Sequence, residues 1–236
     1  MVDVLGGDVP RANSIIKVGQ ASKLLSASLG RGSAALKSSD FPALLGLTLT
    51  PEGPTKAPEA VRRMWSLPLW LLAFDPGDGH VRDVLFPVPE RNLPRRDEQI
   101  REAEEVLSRR CLRVHYDAGR TETTFLDILH QLFLEYAPHH EFLEFDQIEL
   151  RDQGGRMTAG VKLKGPSWET EDLPRGTGEG NYAIILGFMQ RSTASDASYE
   201  PTRCLETTRT LGAAGLNALA RLTPNCTKEA RDVDPS

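Results

Sequence analysis

The sequence has few of the residues that carry recognisable chemistry. Its 236 residues include three cysteines, Cys111, Cys204 and Cys226, and no Cys-x-x-Cys pair. An odd and widely spaced set of cysteines excludes a disulfide framework and favours a reducing compartment. No Gly-x-Ser-x-Gly motif is present, which removes the commonest hydrolase signature.

Long apolar segments are also absent. The longest apolar stretch, around residues 67–74, is far shorter than the roughly 20 residues that cross a bilayer. The N-terminal residues 1–4 have neither the basic start nor the apolar core of a secretory signal. We therefore expect a cytoplasmic protein, neither secreted nor transmembrane, that is at most peripheral on the inner face of a membrane.

The chain as a whole has no excess of basic residues. Its formal net charge is −5, which argues against sequence-specific nucleic-acid binding because phosphate neutralisation needs Lys and Arg. Hydrophobic residues make up 39% and charged residues 26%, as in ordinary globular proteins. The length favours one core with tails.

The hydrophobic pattern predicts an α+β fold with a mostly antiparallel sheet packed against two or three helices. We expect a flexible basic arm and a Pro-rich linker over residues 1–59, because prolines and a glycine punctuate residues 51–58. The core is predicted over residues 60–191. A loop, a C-terminal helix and a polar tail are predicted over residues 192–236.

The predicted core contains one strong helix and several strands. Thr124 and Asp127 form a capping-box pattern at the start of this helix, and Pro138 ends it. A hairpin is predicted over residues 142–164. Residues 182–189, which are apolar on both faces, are predicted to form a central and well-buried strand. Further strands are expected at 64–74 and 112–116, and a last helix at 205–222.

Cysteine and histidine are the candidates for a nucleophilic site. Cys111 and His115 lie on one predicted strand, about 13 Å apart along it, which is too far for direct contact. Cys204 could instead approach His115 after folding. A buried, inert cysteine is the default interpretation.

The residues that resemble metal-binding and phosphate-binding motifs also have a simpler interpretation, as solvated loops. Residues 139–141, His-His-Glu, resemble metal ligands, but neighbouring side chains on an extended chain point to opposite sides. The glycines at 176, 178 and 180 precede a strand, whereas a phosphate loop follows one. We therefore expect no metal and no cofactor.

A group of carboxylates occurs at residues 141–149, and paired carboxylates can divide acid and base roles. The group consists of Glu141, Glu144, Asp146 and Glu149. Strand alternation explains it more simply, because Glu144 and Glu149 are expected to face water.

The N-terminal region is locally basic. Between Arg11 and Lys37 there is no acidic residue, and apolar positions predict a short helix that ends at Gly30. The candidate contact residues for a membrane or a nucleocapsid are Arg11, Lys17, Lys23, Arg31 and Lys37. Each basic residue at an anionic membrane surface contributes about 1 kcal/mol.

Two segments carry a family resemblance. Pro54-Thr55-Lys56-Ala57-Pro58 resembles the Pro-Thr-Ala-Pro late motif of viral matrix and Gag proteins, with Lys56 inserted. Residues 113–127 resemble the strand, turn and helix start of rhabdovirus matrix proteins. The resemblance implies a non-catalytic protein that self-associates and contacts a nucleocapsid protein and an anionic membrane surface. It implies a late-motif function for Pro54, Thr55, Ala57 and Pro58.

Two other classes of function stay open. One is a small soluble enzyme with a thiol and imidazole site formed by Cys111, His115 or Cys204. The other is an adaptor that binds a partner protein through exposed tryptophans, because such aromatic anchors carry interface energy. The candidate anchors are Trp65, Trp70 and Trp168.

Overall fold

The structure is a computed structural model, and it describes only part of the chain. The described residues are 9–26, 37–50, 52–75, 82–85, 101, 104–105, 107–117, 120–153, 156–165, 182–190 and 206–221. They form an α+β fold with a six-stranded sheet, in which every strand pairing is antiparallel. The predicted fold class is confirmed.

Among the described elements three helices come first, and two groups of four strands follow, each of which is followed by a helix. The helices are α1 (Val9–Ala21), α2 (Phe41–Leu49), α3 (Ala57–Trp65), α4 (Phe125–His130), which continues as a π-helix over Gln131–Tyr136, and α5 (Ala213–Ala220). The strands are β1 (Leu69–Asp75), β2 (Arg82–Leu85), β3 (Tyr116–Asp117), β4 (Arg120–Thr121), β5 (Gln147–Gln153), β6 (Arg156–Gly165), β7 (Tyr182–Met189) and β8 (Glu206–Gly212).

The large sheet has the order β2-β1-β7-β6-β5-β8, and β3 pairs with β4 alone. On β7, Ile184, Leu186 and Phe188 are fully buried, whereas Ile185 is 38% exposed. The prediction of a central strand is confirmed, because β7 lies between β1 and β6, but one face of this strand is partly exposed. Its sequence is apolar throughout, so only the position of the helices distinguishes the covered face from the open one.

Helix α2 lies at the centre of the fold. All nine of its residues are buried, and it contacts each of the other four described helices. A helix surrounded on all sides needs no polar face, so its sequence shows no amphipathic pattern. Because α2 and the inner side of α1 belong to the core, the core includes residues on the N-terminal side of the expected boundary at residue 60.

The C-terminal end of α1 is fixed by local chemistry. Lys23 adopts the left-handed backbone conformation (φ 58°). The amides of Lys23 and Leu24 donate to the carbonyls of Gln20 and Gly19, the bonding pattern of a Schellman motif. A Cβ atom on Gly19 would lie 2.5 Å from the side chain of Leu25, so glycine permits the chain to fold back there.

Helix α4 begins as the sequence predicts. The Thr124 side chain accepts from the Asp127 amide, and the Asp127 side chain accepts from the Thr124 amide, which completes the capping box. The helix ends before Pro138, as expected. The hairpin is also confirmed, with Ile148 and Val161 paired and both fully buried.

Four element predictions needed correction. The short helix expected to end at Gly30 is α1, which ends at Ala21. Residues 57–65 form α3, so the strand expected from residue 64 begins at Leu69. The helix expected over 205–222 is divided between β8 and α5. Burial alternates from Leu112 to His115 as predicted, but the strand there is only β3.

Candidate anion-binding surface and cavity

The first three helices and their connections form a layer that we call the helical layer, residues 9–26, 37–50 and 52–66. Its three acidic residues are Asp40, Glu52 and Glu59. Its seven basic residues are Arg11, Lys17, Lys23, Lys37, Lys56, Arg62 and Arg63, and all seven are exposed. The chain has a net charge of −5, so positive charge is concentrated on this layer.

Four of the five predicted contact residues belong to this layer. Arg11, Lys17, Lys23 and Lys37 are exposed, whereas Arg31 lies outside the described residues. Arg11 and Lys17 lie on α1, which packs on the core through Ala12 and Ile15, and Lys23 lies in the turn that ends this helix. The expected arm is therefore a docked surface over residues 9–26.

Asp40 connects the two described ends of the basic segment. Its buried carboxylate accepts the Ser26 amide at 2.9 Å and the Lys37 amide at 2.8 Å. Arg62 on α3 donates to the Ser22 carbonyl at 3.0 Å. These bonds join α1, α2 and α3 into one surface.

A cavity of about 190 Å³ lies between the helical layer and the edge strand β8. Its lining residues come from α1, the end of α2, the connection to α3, and β8. They are Arg11, Ser14, Ile15, Val18, Leu47, Thr50, Glu52, Pro54, Ala57 and Arg209. The four residues from α1 follow helical spacing, so one side of this helix forms a wall of the cavity.

Two arginines from distant parts of the sequence meet at this cavity. Arg209 Nη1 donates to the Thr50 carbonyl at 2.9 Å, and Arg11 Nη2 donates to the Thr48 carbonyl at 3.4 Å. Both carbonyls lie at the C-terminal end of α2, where the helix dipole favours positive charge. Burial, followed by the positive charge of Arg11, lowers the pKa of Arg209.

Sequence reasoning did not identify Arg209. It lies on β8 two residues before Leu211, which is buried, so the two side chains share the inner face of the strand. The alternation of side chains along a strand would have predicted that Arg209 faces inward, but a helix was expected over residues 205–222. No local motif marks its partner Arg11 either, because their meeting depends on β8 joining the sheet edge.

The residues that resemble a late motif are partly folded into a helix. Pro54 and Thr55 are exposed, but Ala57 is buried and Pro58 lies in the first turn of α3. A linear motif is recognised as an accessible, extended segment. In this conformation the four residues do not form such a segment, because Ala57 packs into the core.

The thiol and imidazole candidates have other surroundings. Cys111 has a left-handed backbone (φ 55°), and the amides of Cys111 and Leu112 donate to the Ser108 and Leu107 carbonyls. This pattern is a second Schellman motif. His115 is exposed, and Cys204 lies outside the described residues. Nothing described joins the three residues in one site.

The histidine pair lies at the surface. His139 and His140 are exposed, and the His140 ring stacks on Tyr136 with 4.9 Å between the ring centroids. Within the part of the chain that the structure describes, no three His, Cys, Asp or Glu residues are grouped as metal ligands. The glycines at 176–180 fall outside that part.

One carboxylate of the 141–149 group has a role that the sequence did not show. Asp146 is buried and receives Arg110 Nη1 at 2.8 Å and Nη2 at 3.0 Å. Its oxygens also accept the amides of Leu143 and Lys164 at 2.8 and 2.9 Å. Arg110 donates further to Tyr136 Oη at 2.7 Å. Arg110 and Asp146 therefore form a buried ion pair, and both charged groups have further hydrogen bonds to the chain.

The tryptophans differ in exposure. Trp65 is half-buried and donates to the Pro42 carbonyl at 3.3 Å, so it joins α3 to α2. Trp70 is 37% exposed on β1, near Gly187 of the neighbouring strand. Trp168 is not among the described residues. Of the two tryptophans that the structure describes, Trp70 has the exposure that a partner contact needs.

Comparisons with known proteins give no relative: no protein family, curated protein or solved structure matches the chain. The resemblance to rhabdovirus matrix proteins therefore stays a prediction. Among the described helices, none combines the length and the apolar character that crossing a membrane requires.

Proposed function

We propose that this protein is a non-catalytic assembly protein that uses the helical layer to contact an anionic membrane surface. The observation that carries the proposal is the exposure of all seven basic side chains of the layer, in a chain whose net charge is negative. Negative charge elsewhere would orient the molecule with this layer toward the anionic surface.

The energetics are sufficient for peripheral attachment. A basic residue near an anionic membrane surface contributes about 1 kcal/mol, so several together give reversible binding. Helix α1 contributes Arg11 and Lys17, and the turn after it contributes Lys23, from a backbone that is already folded on the core. Little conformational entropy would then be lost when the layer binds.

Self-association and nucleocapsid contact, which the matrix resemblance implies, remain predictions. They agree with a protein that attaches to a membrane through one face and leaves other faces free. Trp70 and Ile185, each more than a third exposed on neighbouring strands, are the side chains that such a contact would cover.

The proposal is tested by co-sedimentation with phosphatidylcholine vesicles that contain about one third phosphatidylserine. We expect Lys17→Gln combined with Lys23→Gln to weaken binding about 30-fold, from about 1 kcal/mol per charge. Binding should also fall steeply with added salt, because exposed charges are screened.

A matched control removes two positive charges elsewhere. Arg113 and Arg156 are exposed and lie outside the helical layer. Arg113→Gln with Arg156→Gln should leave vesicle binding within about threefold of the original protein. Equal losses in both double variants, or no loss in either, would show that the layer is not the contact surface.

A further inference from the structure

We propose that the outer edge of β8 is the surface through which two copies of this chain associate, with the two β8 strands antiparallel and centred on Thr208. The inference rests on the proposed function, because it assigns the self-association predicted there to one surface. This surface is separate from Trp70 and Ile185, which remain available to a different partner.

The position and the regularity of β8 suit it for pairing with a further strand. It stands at the end of the sheet order, next to β5. All seven of its residues, Glu206–Gly212, align with β5 without a register shift, whereas the pairing of β1 with β7 is shifted between Leu69 and Leu71. A bulge is one of the features that keep an edge strand from pairing further, and the β8 ladder is regular throughout.

The outward backbone groups of β8 are open to a partner strand. Along an antiparallel strand, alternate residues direct their amide and carbonyl to one neighbour, and the residues between them direct theirs to the other side. Among the described segments, no backbone group of residues 207–210 has a hydrogen bond outside the pairing with β5. Thr208 and Thr210 are exposed. The outward groups can therefore bond to an added strand.

The residues of β8 do little to protect this edge. Natural edge strands are protected by proline, by lysine or by charges that point inward. Residues 206–212 contain no proline and no lysine. Arg209 is an inward charge, but its guanidinium donates to the Thr50 carbonyl at 2.9 Å and is thus directed at the end of α2 in its own chain. Threonine, which occurs three times in β8, is favoured in strands.

Two features favour a second copy of the chain as the partner. In a two-fold pairing centred on Thr208, this uncharged residue lies opposite its own copy, and Thr–Thr pairs across strands are favourable. This register also keeps Arg209 of one copy from lying opposite Arg209 of the other. The helices and the inner side chains of the strands form one core, so a two-fold axis perpendicular to the sheet leaves both helical layers on the same side. The dimer would then present two basic layers to one membrane.

Sedimentation equilibrium of the full chain, without vesicles, tests the proposal. We expect a reversible equilibrium between monomer and dimer. Thr208→Lys combined with Thr210→Lys should weaken the dimer about tenfold or more, because lysines on an edge repel an identical strand. Both threonines are exposed, so the variant should fold, which circular dichroism checks. Thr208→Val combined with Thr210→Val keeps the backbone ladder and should associate within about threefold of the original protein.

Two controls separate the edge from other surfaces. His139→Lys with Gln190→Lys adds the same charge at exposed positions outside β8 and should leave association within about threefold of the original. Trp70→Ala changes the exposed side chain on β1 and should also leave the dimer intact.

Oxidative cross-linking tests the register. In a pairing centred on Thr208, the two copies of this residue are direct neighbours with about 5 Å between their Cα atoms, a separation that a disulfide spans. The two copies of Thr210 would lie about 13 Å apart along the strands. Thr208→Cys should therefore form a covalent dimer at least about tenfold faster than Thr210→Cys. The original protein gives the background from its own three cysteines.

Several results would overturn the inference. They are a folded protein that stays monomeric at every concentration, an unchanged dimer in the double lysine variant of β8, and a dimer lost equally in the lysine control or in Trp70→Ala. Cross-linking through Thr210→Cys that equals or exceeds that through Thr208→Cys would overturn it as well. Association is measured without vesicles, so its failure is distinguishable from failure of the membrane contact, which the variants at Lys17 and Lys23 test.

Discussion

The molecule contains two arginine sites that differ in almost every respect. Arg110 is buried and donates to both oxygens of one carboxylate, and the same two oxygens each accept a backbone amide. Arg209 shares an open cavity with Arg11 and bonds a backbone carbonyl. The first site is a buried ion pair, whereas the second brings two positively charged side chains to one cavity.

The difference shows how environment decides the role of one residue type. A buried ion pair with full hydrogen bonding joins the segments that supply it, and losing one partner leaves an uncompensated charge. Two like charges at one cavity repel each other, so they contribute little to folding. The first site should therefore contribute more to stability than the second.

The largest effect is expected from Asp146→Asn, which keeps the shape of the side chain but leaves Arg110 without a counter-charge. We expect a loss of about 3 to 5 kcal/mol in the free energy of unfolding, measured by urea denaturation. Glu149→Gln on β5, three residues further along the chain, is the control. Its partners Arg151 and Lys162 are about half exposed, so its loss should stay below about 1 kcal/mol.

A loss for Asp146→Asn no larger than that of Glu149→Gln would remove the contrast between the two arginine sites. The buried ion pair would then contribute no more to the free energy of unfolding than an exposed ion pair does.

An intermediate effect is expected from Gly46→Val, which disturbs the helix end that positions the cavity arginines. A Cβ atom at Gly46 would lie 2.8 Å from Met64 Cε and 2.9 Å from Val61 Cγ1, so α2 and α3 would have to separate. We expect thermal unfolding to show a loss of about 1 to 3 kcal/mol. A Cβ atom at Gly53 would have no neighbour within 4 Å, so Gly53→Val should be nearly neutral. Equal losses in the two variants would contradict the close packing of α2 against α3.

The smallest effect is expected from Arg209→Gln. The variant loses one charge-assisted hydrogen bond to Thr50 but also loses the repulsion from Arg11. These terms oppose each other, so the free energy of unfolding should change by about 1 kcal/mol or less in urea denaturation. A loss as large as that of Asp146→Asn would mean that Arg209 is a structural residue of the same kind as Arg110.

Some elements could be predicted because their signals are local. The capping box of Thr124 and Asp127, the hairpin of β5 and β6, and the span of β7 depend on residues within a few positions of one another. The exposed basic side chains of α1 also followed from sequence, since Lys and Arg at a surface need only water.

Other elements could not be predicted, because their signals depend on distant segments. Helix α2 has no polar face, and its place at the centre depends on four other helices. The chain after residue 205 has no long apolar run, and its first half becomes β8 only because β5 offers a free edge. The pairing of Arg110 with Asp146 likewise joins residues that no spacing rule connects.

The sequence by itself determined the secondary structure that short-range bonding and periodicity encode, the α+β class, and the concentration of positive charge near the N-terminus. The tertiary structure alone decided which face of β7 is open, that α2 is central, and that Arg11 and Arg209 meet at one cavity. The physical reason is the sequence distance over which the interactions act. Helix caps and strand alternation act within one turn or one strand, whereas a cavity is formed by chain segments that only packing brings together.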